Sequence, residues 1–267
     1  MQLTALLRRT LSGAVGWLAD RRVPTPLRAG VYRTYARATG ADLDEVRPPL
    51  EAYPSLGAFF VRRLVDGARP FPDDPAQLPS PVDGRVQWCG RVDGESAVQA
   101  KGRDYSVREL LGGVGSDIDL DGASAWTLYL SPRDYHRIHA PVASRLREVR
   151  WVPGDRRPVR PKTLASVDHV LSTNERAVLY LESERGPYFM VFVGALNVGR
   201  IRVVGVRAAD QGVLTRPREF ARGDEIGRFE MGSTVVLVWP RGGPEPLAEL
   251  QPGTPLRMGQ SIGESRP

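Results

Sequence analysis

The sequence predicts an α+β fold in which a mainly antiparallel β body, sandwich-like or barrel-like, follows an N-terminal helical segment. Apolar residues recur at helical spacing near the N-terminus, whereas from residue 80 onward short apolar runs alternate with turn residues. The chain of 267 residues also contains 28 glycines and 23 prolines, which indicates many turns. We therefore divide it into an N-terminal segment, residues 1–65, and a body, residues 66–267.

Three helices are predicted in the N-terminal segment. The first is indicated by apolar residues at helical spacing: Leu3, Leu6, Leu7, Leu11, Ala14 and Leu18. The second covers residues 29–38. The third covers residues 55–64, where Ser55 is a favourable N-cap before an apolar run.

The positive charge of the chain is concentrated in the same segment. The net charge is +6, and residues 1–40 contain seven arginines but a single acidic residue, Asp20. A basic amphipathic helix that also carries Trp17 can lie in a lipid interface or pack on its own body, and periodicity alone does not separate the two. No stretch approaches the roughly 20 apolar residues that span a bilayer, and no nucleic-acid-binding signature is present.

Seven strands and one helix are predicted in the body. The strand candidates are short runs, rich in β-branched and aromatic residues, between turn residues: 84–88, 125–130, 146–152, 177–182, 188–193, 200–206 and 234–239. The helix covers residues 106–111, and the proline- and aspartate-rich residues 66–79 are predicted to be a loop. Because strands dominate, we expect the body to be sheet-rich.

The step Gly232-Ser233 stands directly before the last strand candidate. Glycine lets the backbone bend, and a serine after it can turn its hydroxyl back on the preceding carbonyl. Attack on that carbonyl would replace the amide by an ester, elimination would cut the chain, and hydrolysis with loss of ammonia would leave a pyruvoyl group. Such a carbonyl can take up a substrate amine and act as an electron sink. By itself, however, Gly-Ser-Thr is more often an ordinary turn before a strand.

A second group of residues that can carry chemistry lies in the segment 131–141, which holds His136 and His139. Three positions apart, they would face opposite sides on a strand and the same side on a helical turn. They are compatible with structural histidines, or with a triad in which a histidine deprotonates Ser233 and a carboxylate such as Asp83 orients the histidine. No cluster of further metal ligands accompanies them, and the single cysteine excludes an internal disulfide.

Together these motifs resemble one family, the phosphatidylserine decarboxylase proenzymes. The resemblance covers nearly the whole chain and rests on the segment 129–141 (YLSPRDYHRIHAP), on Gly232-Ser233-Thr234, and on further short motifs at 59–62, 81–84, 99–102, 152–155, 174–176, 193–195, 198–199 and 227–229. The histidine segment and the terminal Gly-Ser-Thr, in this order and at this separation, are specific to the family.

The resemblance implies a role for each site residue. Ser233 would be the nucleophile of self-cleavage and the source of a covalent pyruvoyl cofactor. His139 would be the base for that serine, and Asp83 would orient His139 and stabilise its charge. His136 would serve the later decarboxylation as proton donor, and Tyr129 would help line the substrate site. No metal is implied.

The implied reaction converts phosphatidylserine to phosphatidylethanolamine, after cleavage into chains 1–232 and 233–267 that stay together as a heterodimer. Because this substrate lies in an anionic membrane, the resemblance favours the interfacial interpretation of the basic N-terminal helix. We expect a peripheral protein on the cytoplasmic side of the cell membrane, compatible with a homo-oligomer and without a nucleic-acid partner. The alternatives are an uncleaved Ser-His-Asp hydrolase and a non-enzymatic membrane-bound β protein.

Overall fold

The computed structural model describes residues 2–100, 103–196, 200–230 and 233–265. The predicted cleavage residue Gly232 and the motif residues 101–102 and 198–199 therefore lie outside the described residues. Six α-helices lie within the described ranges: α1 (Gln2–Ala19), α2 (Thr25–Thr39), α3 (Leu56–Phe60), α4 (Val107–Leu111), α5 (Pro161–Leu164) and α6 (Val170–Thr173).

The predicted N-terminal helices are confirmed, with different ends. The second helix, α2, begins four residues earlier than predicted. A proline lies in its first turn, where backbone N–H groups have no partner within the helix, so the missing N–H does not destabilise it. In α3 the Ser55 hydroxyl accepts a hydrogen bond from the Ala58 amide at 3.1 Å, as expected of an N-cap. The helix ends at Phe60, not at Leu64, because Leu64 already lies in an extended chain that pairs with Val46.

The body is built from sixteen short strands within the described ranges. They are β1 (Gln77–Pro79), β2 (Gly84–Arg91), β3 (Ser96–Ala100), β4 (Arg103–Ser106), β5 (Ser124–Leu130), β6 (Arg137–His139), β7 (Ser144–Val152), β8 (Arg176–Ser183), β9 (Gly186–Gly194), β10 (Ile201–Val203), β11 (Gly212–Phe220), β12 (Glu225–Phe229), β13 (Ser233–Trp239), β14 (Glu245–Pro246), β15 (Pro255–Leu256) and β16 (Ser261–Glu264). All seven predicted strands are present, although the sixth is shorter than predicted. The others were missed, since they are short or alternate weakly between apolar and polar residues.

Eight of these strands form one antiparallel sheet in the order β11-β7-β8-β9-β13-β5-β2-β15. The described sheet is open, with β11 and β15 at its edges, and is not a closed barrel. Three smaller antiparallel sheets accompany it, β1-β16-β14, β10-β12-β6 and β3-β4. The predicted α+β class with a mainly antiparallel body is therefore confirmed.

The central strand β13 shows how the core is arranged. Its side chains alternate between the two faces of the sheet, as in any strand. Val235, Leu237 and Trp239 belong to the hydrophobic core on one face. Val236 and Val238 belong to the core on the other face. Because both faces are covered, a continuous run of β-branched and aromatic residues is stable here.

The N-terminal helices add a smaller apolar cluster and leave other apolar residues outside it. Tyr32 of α2 stacks on Phe59 of α3 with ring centroids 4.6 Å apart, and Val46 completes the cluster. Leu11 and Leu18 of α1, by contrast, are exposed. No helix among the described residues is long and apolar enough to cross a membrane.

Candidate active site

Ser233 is the first residue of β13 and lies opposite two neighbouring strands. Its Cα partners are Leu130 at the end of β5 and Gly194 at the end of β9. The side chain is 1% exposed, and its hydroxyl has no hydrogen-bond partner among the residues that the structure describes. The predicted nucleophile is therefore fixed at the end of a central strand and closed off from solvent.

His136 lies in the loop between β5 and β6 and is completely buried. Its Nδ1 is 2.8 Å from the carbonyl oxygen of Asp134, and because a carbonyl can only accept, Nδ1 carries the proton. Nε2 then presents a lone pair, and this atom is buried without a hydrogen-bond partner in the described part of the chain. Burial, together with the nearby Arg62 charge, lowers the pKa of His136 to about 3. The ring is therefore neutral at physiological pH.

Helix α3 and the residues after it hold this histidine in place. The Phe60 ring packs on the His136 ring with centroids 4.0 Å apart. Two residues on, Arg62 donates from Nη2 to the Arg133 carbonyl at 2.6 Å and is itself buried. The sequence alone indicated no role for Phe60 or Arg62, because the spacing of neighbouring residues does not show which loop packs against the end of a helix.

His139 is the last residue of β6 and is hydrogen-bonded at both ring nitrogens. Nδ1 donates to the Gly223 carbonyl at 2.7 Å. Nε2 therefore accepts, and its partner is the Tyr135 hydroxyl at 3.0 Å. Burial lowers the pKa of His139, so this ring too is set up as a neutral base with its lone pair on Nε2.

Asp83 lies in the turn before β2 and is held by a basic side chain. Its carboxylate accepts from Arg69 at 2.8 and 2.6 Å and from the Met258 amide at 2.8 Å. The next residue must be glycine, since a Cβ on Gly84 would lie 2.3 Å from the Tyr129 carbonyl oxygen.

The structure therefore connects Asp83 to His139 by charge and not by a hydrogen bond. The negative charge of Asp83 acts to raise the pKa of His139 against the effect of burial. Asp83 lines a cleft of about 470 Å³, and His139 lines a neighbouring cleft of about 400 Å³. Both clefts are lined by Arg69 and Tyr135, two residues that sequence analysis did not single out. Tyr135 could have been noticed, because it stands in the histidine segment.

Tyr129, the predicted substrate-binding residue, lies on β5 opposite Thr234. Residues paired across a sheet point to the same face, and successive residues point to opposite faces. The Tyr129 side chain therefore shares a face with Thr234 and lies on the other face from Ser233. Its ring packs against the second core, and burial raises its pKa.

The third histidine stands apart from this group. His169 is exposed and has a positive φ of 54°, a backbone conformation that histidine and asparagine adopt more readily than most residues. Within the described ranges, no three side chains of His, Cys, Asp or Glu lie close enough together to hold a metal ion.

The burial of His136 predicts a pH dependence of stability. The unfolded chain protonates this imidazole near pH 6.5, whereas the folded chain does so only near pH 3. As the pH falls below 6.5, the unfolded state therefore binds a proton that the folded state does not. The free energy of unfolding should fall by up to about 1.4 kcal/mol per pH unit from this one group. His139, whose pKa is also lowered, acts with the same sign.

We expect His136→Asn to flatten this dependence when urea unfolding is measured in the Ser233→Ala background from about pH 6.5 to about pH 4.5. Asparagine retains an N–H that can donate to the Asp134 carbonyl but does not titrate. His169→Asn is the matched control and should leave the slope unchanged. Equal slopes in all three proteins would contradict a neutral, buried His136.

Comparison with known proteins identifies the family of the chain. The phosphatidylserine decarboxylase family model matches residues 56–264. The chain is 42% identical over 276 residues to the phosphatidylserine decarboxylase proenzyme of Halorhodospira halophila, covering 96% of this chain and 94% of the relative. It is 39% identical to the proenzyme of Anaeromyxobacter sp. (strain K), covering 98% and 96%. It is 37% identical to that of Marinobacter nauticus, covering 95% and 93%. Because the family model covers more than half of the chain and these relatives are 37–42% identical over nearly its whole length, this chain belongs to the phosphatidylserine decarboxylase family.

Proposed function

We propose that this chain decarboxylates phosphatidylserine to phosphatidylethanolamine with a pyruvoyl group that it makes from Ser233 by cutting the Gly232–Ser233 bond. The observation that carries the proposal is the Ser233 hydroxyl, buried and unpaired at the start of β13. An unpaired buried hydroxyl destabilises a fold by about 1–3 kcal/mol. A chemical role for the hydroxyl explains why a serine stands there, and family membership supports the same role.

The proposed cleavage uses groups of the chain itself and one water molecule. The Ser233 oxygen forms a bond to the Gly232 carbonyl carbon, the peptide C–N bond breaks, and an ester results. The serine proton leaves to a base, and the freed nitrogen gains a proton. Removal of the Cα proton of residue 233 then expels the Gly232 carboxylate and cuts the chain. Water releases ammonia from the residue that remains and leaves the pyruvoyl group.

His139 is suited to be the base in this cleavage. Its Nδ1 proton is fixed on the Gly223 carbonyl, so the lone pair on Nε2 is the one available to accept a proton. In this structure that lone pair accepts a hydrogen bond from the Tyr135 hydroxyl. The hydroxyl must therefore move aside, or pass on the proton, when Ser233 is deprotonated. Asp83 supports the protonated ring through its charge.

His136 is suited to move a proton during decarboxylation. When present, the pyruvoyl group would accept the electron pair that remains on the substrate carbon when carbon dioxide leaves. The substrate ammonium must lose a proton before it can react, and the unprotonated Nε2 of His136 can accept it. The same atom then returns a proton to the carbon that has lost carbon dioxide.

The two cleavage products should stay together as a heterodimer. The small chain would begin with β13, which pairs with β5 on one side and with β9 on the other. It also contributes β15, paired with β2, and β16, paired with β1. Separating the chains would therefore expose the centre of the large sheet and both cores.

Helix α1 supports docking to a lipid surface. Its outward face carries Leu7, Leu11 and Leu18, which are 60%, 52% and 67% exposed. The same helix turns Ser12 and Ala19 toward the body. The most apolar stripe thus points away from the core, which is the reverse of a helix that only packs on its own body. Exposed arginines around it would attract anionic lipids, which are concentrated on the cytoplasmic leaflet, and we place the protein there.

We expect Leu11→Gln and Leu18→Gln each to weaken binding to vesicles that contain phosphatidylserine. A leucine side chain that enters the lipid contributes about 1.5–3 kcal/mol when fully buried, so partial burial corresponds to about tenfold per residue. Vesicle co-sedimentation measures the effect. Val213→Gln, at an exposed apolar residue of the edge strand β11, is the matched control and should bind as the unchanged chain does. Equal binding by all three variants would contradict docking through α1.

The uncleaved hydrolase alternative requires an intact chain that cleaves an external ester through Ser233. An uncut chain with esterase activity would favour this alternative. The proposed function is tested by incubating the chain and its Ser233→Ala variant with phosphatidylserine vesicles. We expect equal amounts of carbon dioxide and phosphatidylethanolamine from the chain and neither from the variant. Full activity of the variant would overturn the proposal.

A further inference from the structure

Helix α1 has an inner face that is organised differently from its exposed leucines. Arg8, Ser12 and Ala19 recur on this face, and they are half-buried or buried. Little of it is apolar, so packing alone does not explain why the helix lies on the body. Three polar or close contacts attach the helix instead, and each leads to a segment beside Ser233.

The first contact joins Arg8 to the loop after β7. The Arg8 guanidinium binds the Asp155 carboxylate with two hydrogen bonds, one of them from Nε at 3.0 Å. From Asp155, backbone hydrogen bonds continue to the site. The Glu175 amide donates to the Asp155 carbonyl at 2.8 Å, and the Gly194 amide donates to the Glu175 carbonyl at 2.8 Å. Gly194 is the strand partner of Ser233.

The second contact lies at the other end of the helix. Asp20, directly after α1, pairs with Arg200, and the Nε of Arg200 donates to the Glu230 carboxylate at 2.6 Å. The backbones of Arg200 and Glu230 are also hydrogen-bonded, from the Glu230 amide to the Arg200 carbonyl at 2.9 Å. Glu230 precedes the proposed scissile bond by two residues. The helix end is thus tied to the chain on the upstream side of the bond.

The third contact joins α1 to α3. A Cβ on Gly57 would lie 2.6 Å from an Asp20 carboxylate oxygen and 3.4 Å from the Ala19 carbonyl, so the end of α1 lies directly on the α3 backbone. Helix α3 carries Phe60, which packs on His136. The three contacts therefore reach the strand beside Ser233, the chain before the scissile bond and the support of His136.

We propose that α1 is a strap across the self-cleavage site, and that Arg8 is a positioning residue through which docking of α1 to lipid promotes chain cleavage. The inference rests on the proposed function. The exposed leucines and the strap contacts lie on different faces of the helix, so lipid can bind the first without breaking the second. Lipid that immobilises α1 in this position favours the arrangement of segments in which Ser233 can attack.

The test follows cleavage itself, in chain synthesised by cell-free translation without lipid and sampled over time by gel and mass spectrometry. We expect Arg8→Gln to cleave about three- to tenfold more slowly than the unchanged chain. This range corresponds to the loss of a partly buried ion pair with two hydrogen bonds. Arg22→Gln is the matched control, since it removes the same charge from an exposed site close to α1. We expect it to cleave at the unchanged rate.

Anionic vesicles added during the same reaction provide the second measurement. They should accelerate cleavage of the unchanged chain and of Arg22→Gln, and should accelerate Arg8→Gln much less. Urea midpoints of the uncleavable forms separate this effect from general destabilisation. Equal cleavage of both arginine variants, with and without vesicles, would overturn the strap and leave the proposed function standing. Absence of cleavage in the unchanged chain would instead overturn the proposed function.

Discussion

Replacing Ser233 by alanine will leave the chain in one piece. The unchanged chain should give two pieces, 1–232 and 233–267, and the small piece should be lighter than its sequence predicts by the mass of one ammonia. Its N-terminus should resist Edman degradation, because a pyruvoyl group has no amine. Alanine keeps the backbone of β13 but has no oxygen to attack the Gly232 carbonyl. Intact mass spectrometry of both purified proteins measures the result.

A neighbouring hydroxyl provides the control for this experiment. Thr234 is buried, like Ser233, and its hydroxyl also has no hydrogen-bond partner. It points to the opposite face of the sheet, so Thr234→Val should remove a buried hydroxyl and still allow cleavage. Because an unpaired hydroxyl is lost, this variant should be at least as stable as the unchanged chain. The assignment of Ser233 would be contradicted if Thr234→Val remained uncut. It would equally be contradicted if Ser233→Ala were cut.

Replacing the two buried histidines should affect two different steps. His139→Asn should slow self-cleavage, because the Nε2 lone pair that accepts the serine proton is lost. His136→Asn should still cleave but should lower kcat for decarboxylation, because no group then carries the proton to and from the substrate. Loss of a positioned acid or base corresponds to about 10²- to 10⁴-fold in rate. Time courses of cleavage and of carbon dioxide release measure the two steps separately.

The choice of asparagine keeps the fold of both variants close to the original. Its amide N–H can replace the Nδ1–H that donates to Gly223 from position 139 and to Asp134 from position 136. His169→Asn is again the control and should change neither step. If His136→Asn failed to cleave while His139→Asn cleaved normally, the two roles would have to be exchanged. If neither variant changed either rate, both histidines would be structural.

The sequence by itself determined the local elements and indicated the family. Helix α1 follows from side-chain periodicity and strand β13 from a run of β-branched residues, and both patterns depend only on neighbours in the chain. The cap at Ser55 is likewise local, because its hydroxyl reaches an amide three residues on. The motif around Ser233 and the two histidines was sufficient to indicate the family, since the order and spacing of motifs are sequence properties.

The tertiary structure alone decided which atoms meet. Asp83 was expected to orient His139, yet its hydrogen bonds go to Arg69 and Met258, and His139 is oriented by Gly223 and Tyr135. These partners are far apart in sequence or lie in irregular loops, and side-chain periodicity does not predict contacts between such residues.

The protonation state of the histidines was also decided by the fold. An isolated histidine segment does not reveal that His136 is buried against Phe60 with one nitrogen on a carbonyl, and burial sets its pKa to about 3. Periodicity also did not determine the orientation of α1. It identifies an apolar stripe on the helix but not the side of the helix that packs on the body. Only the packing of Ala19 on α3 showed that Leu11 and Leu18 face outward.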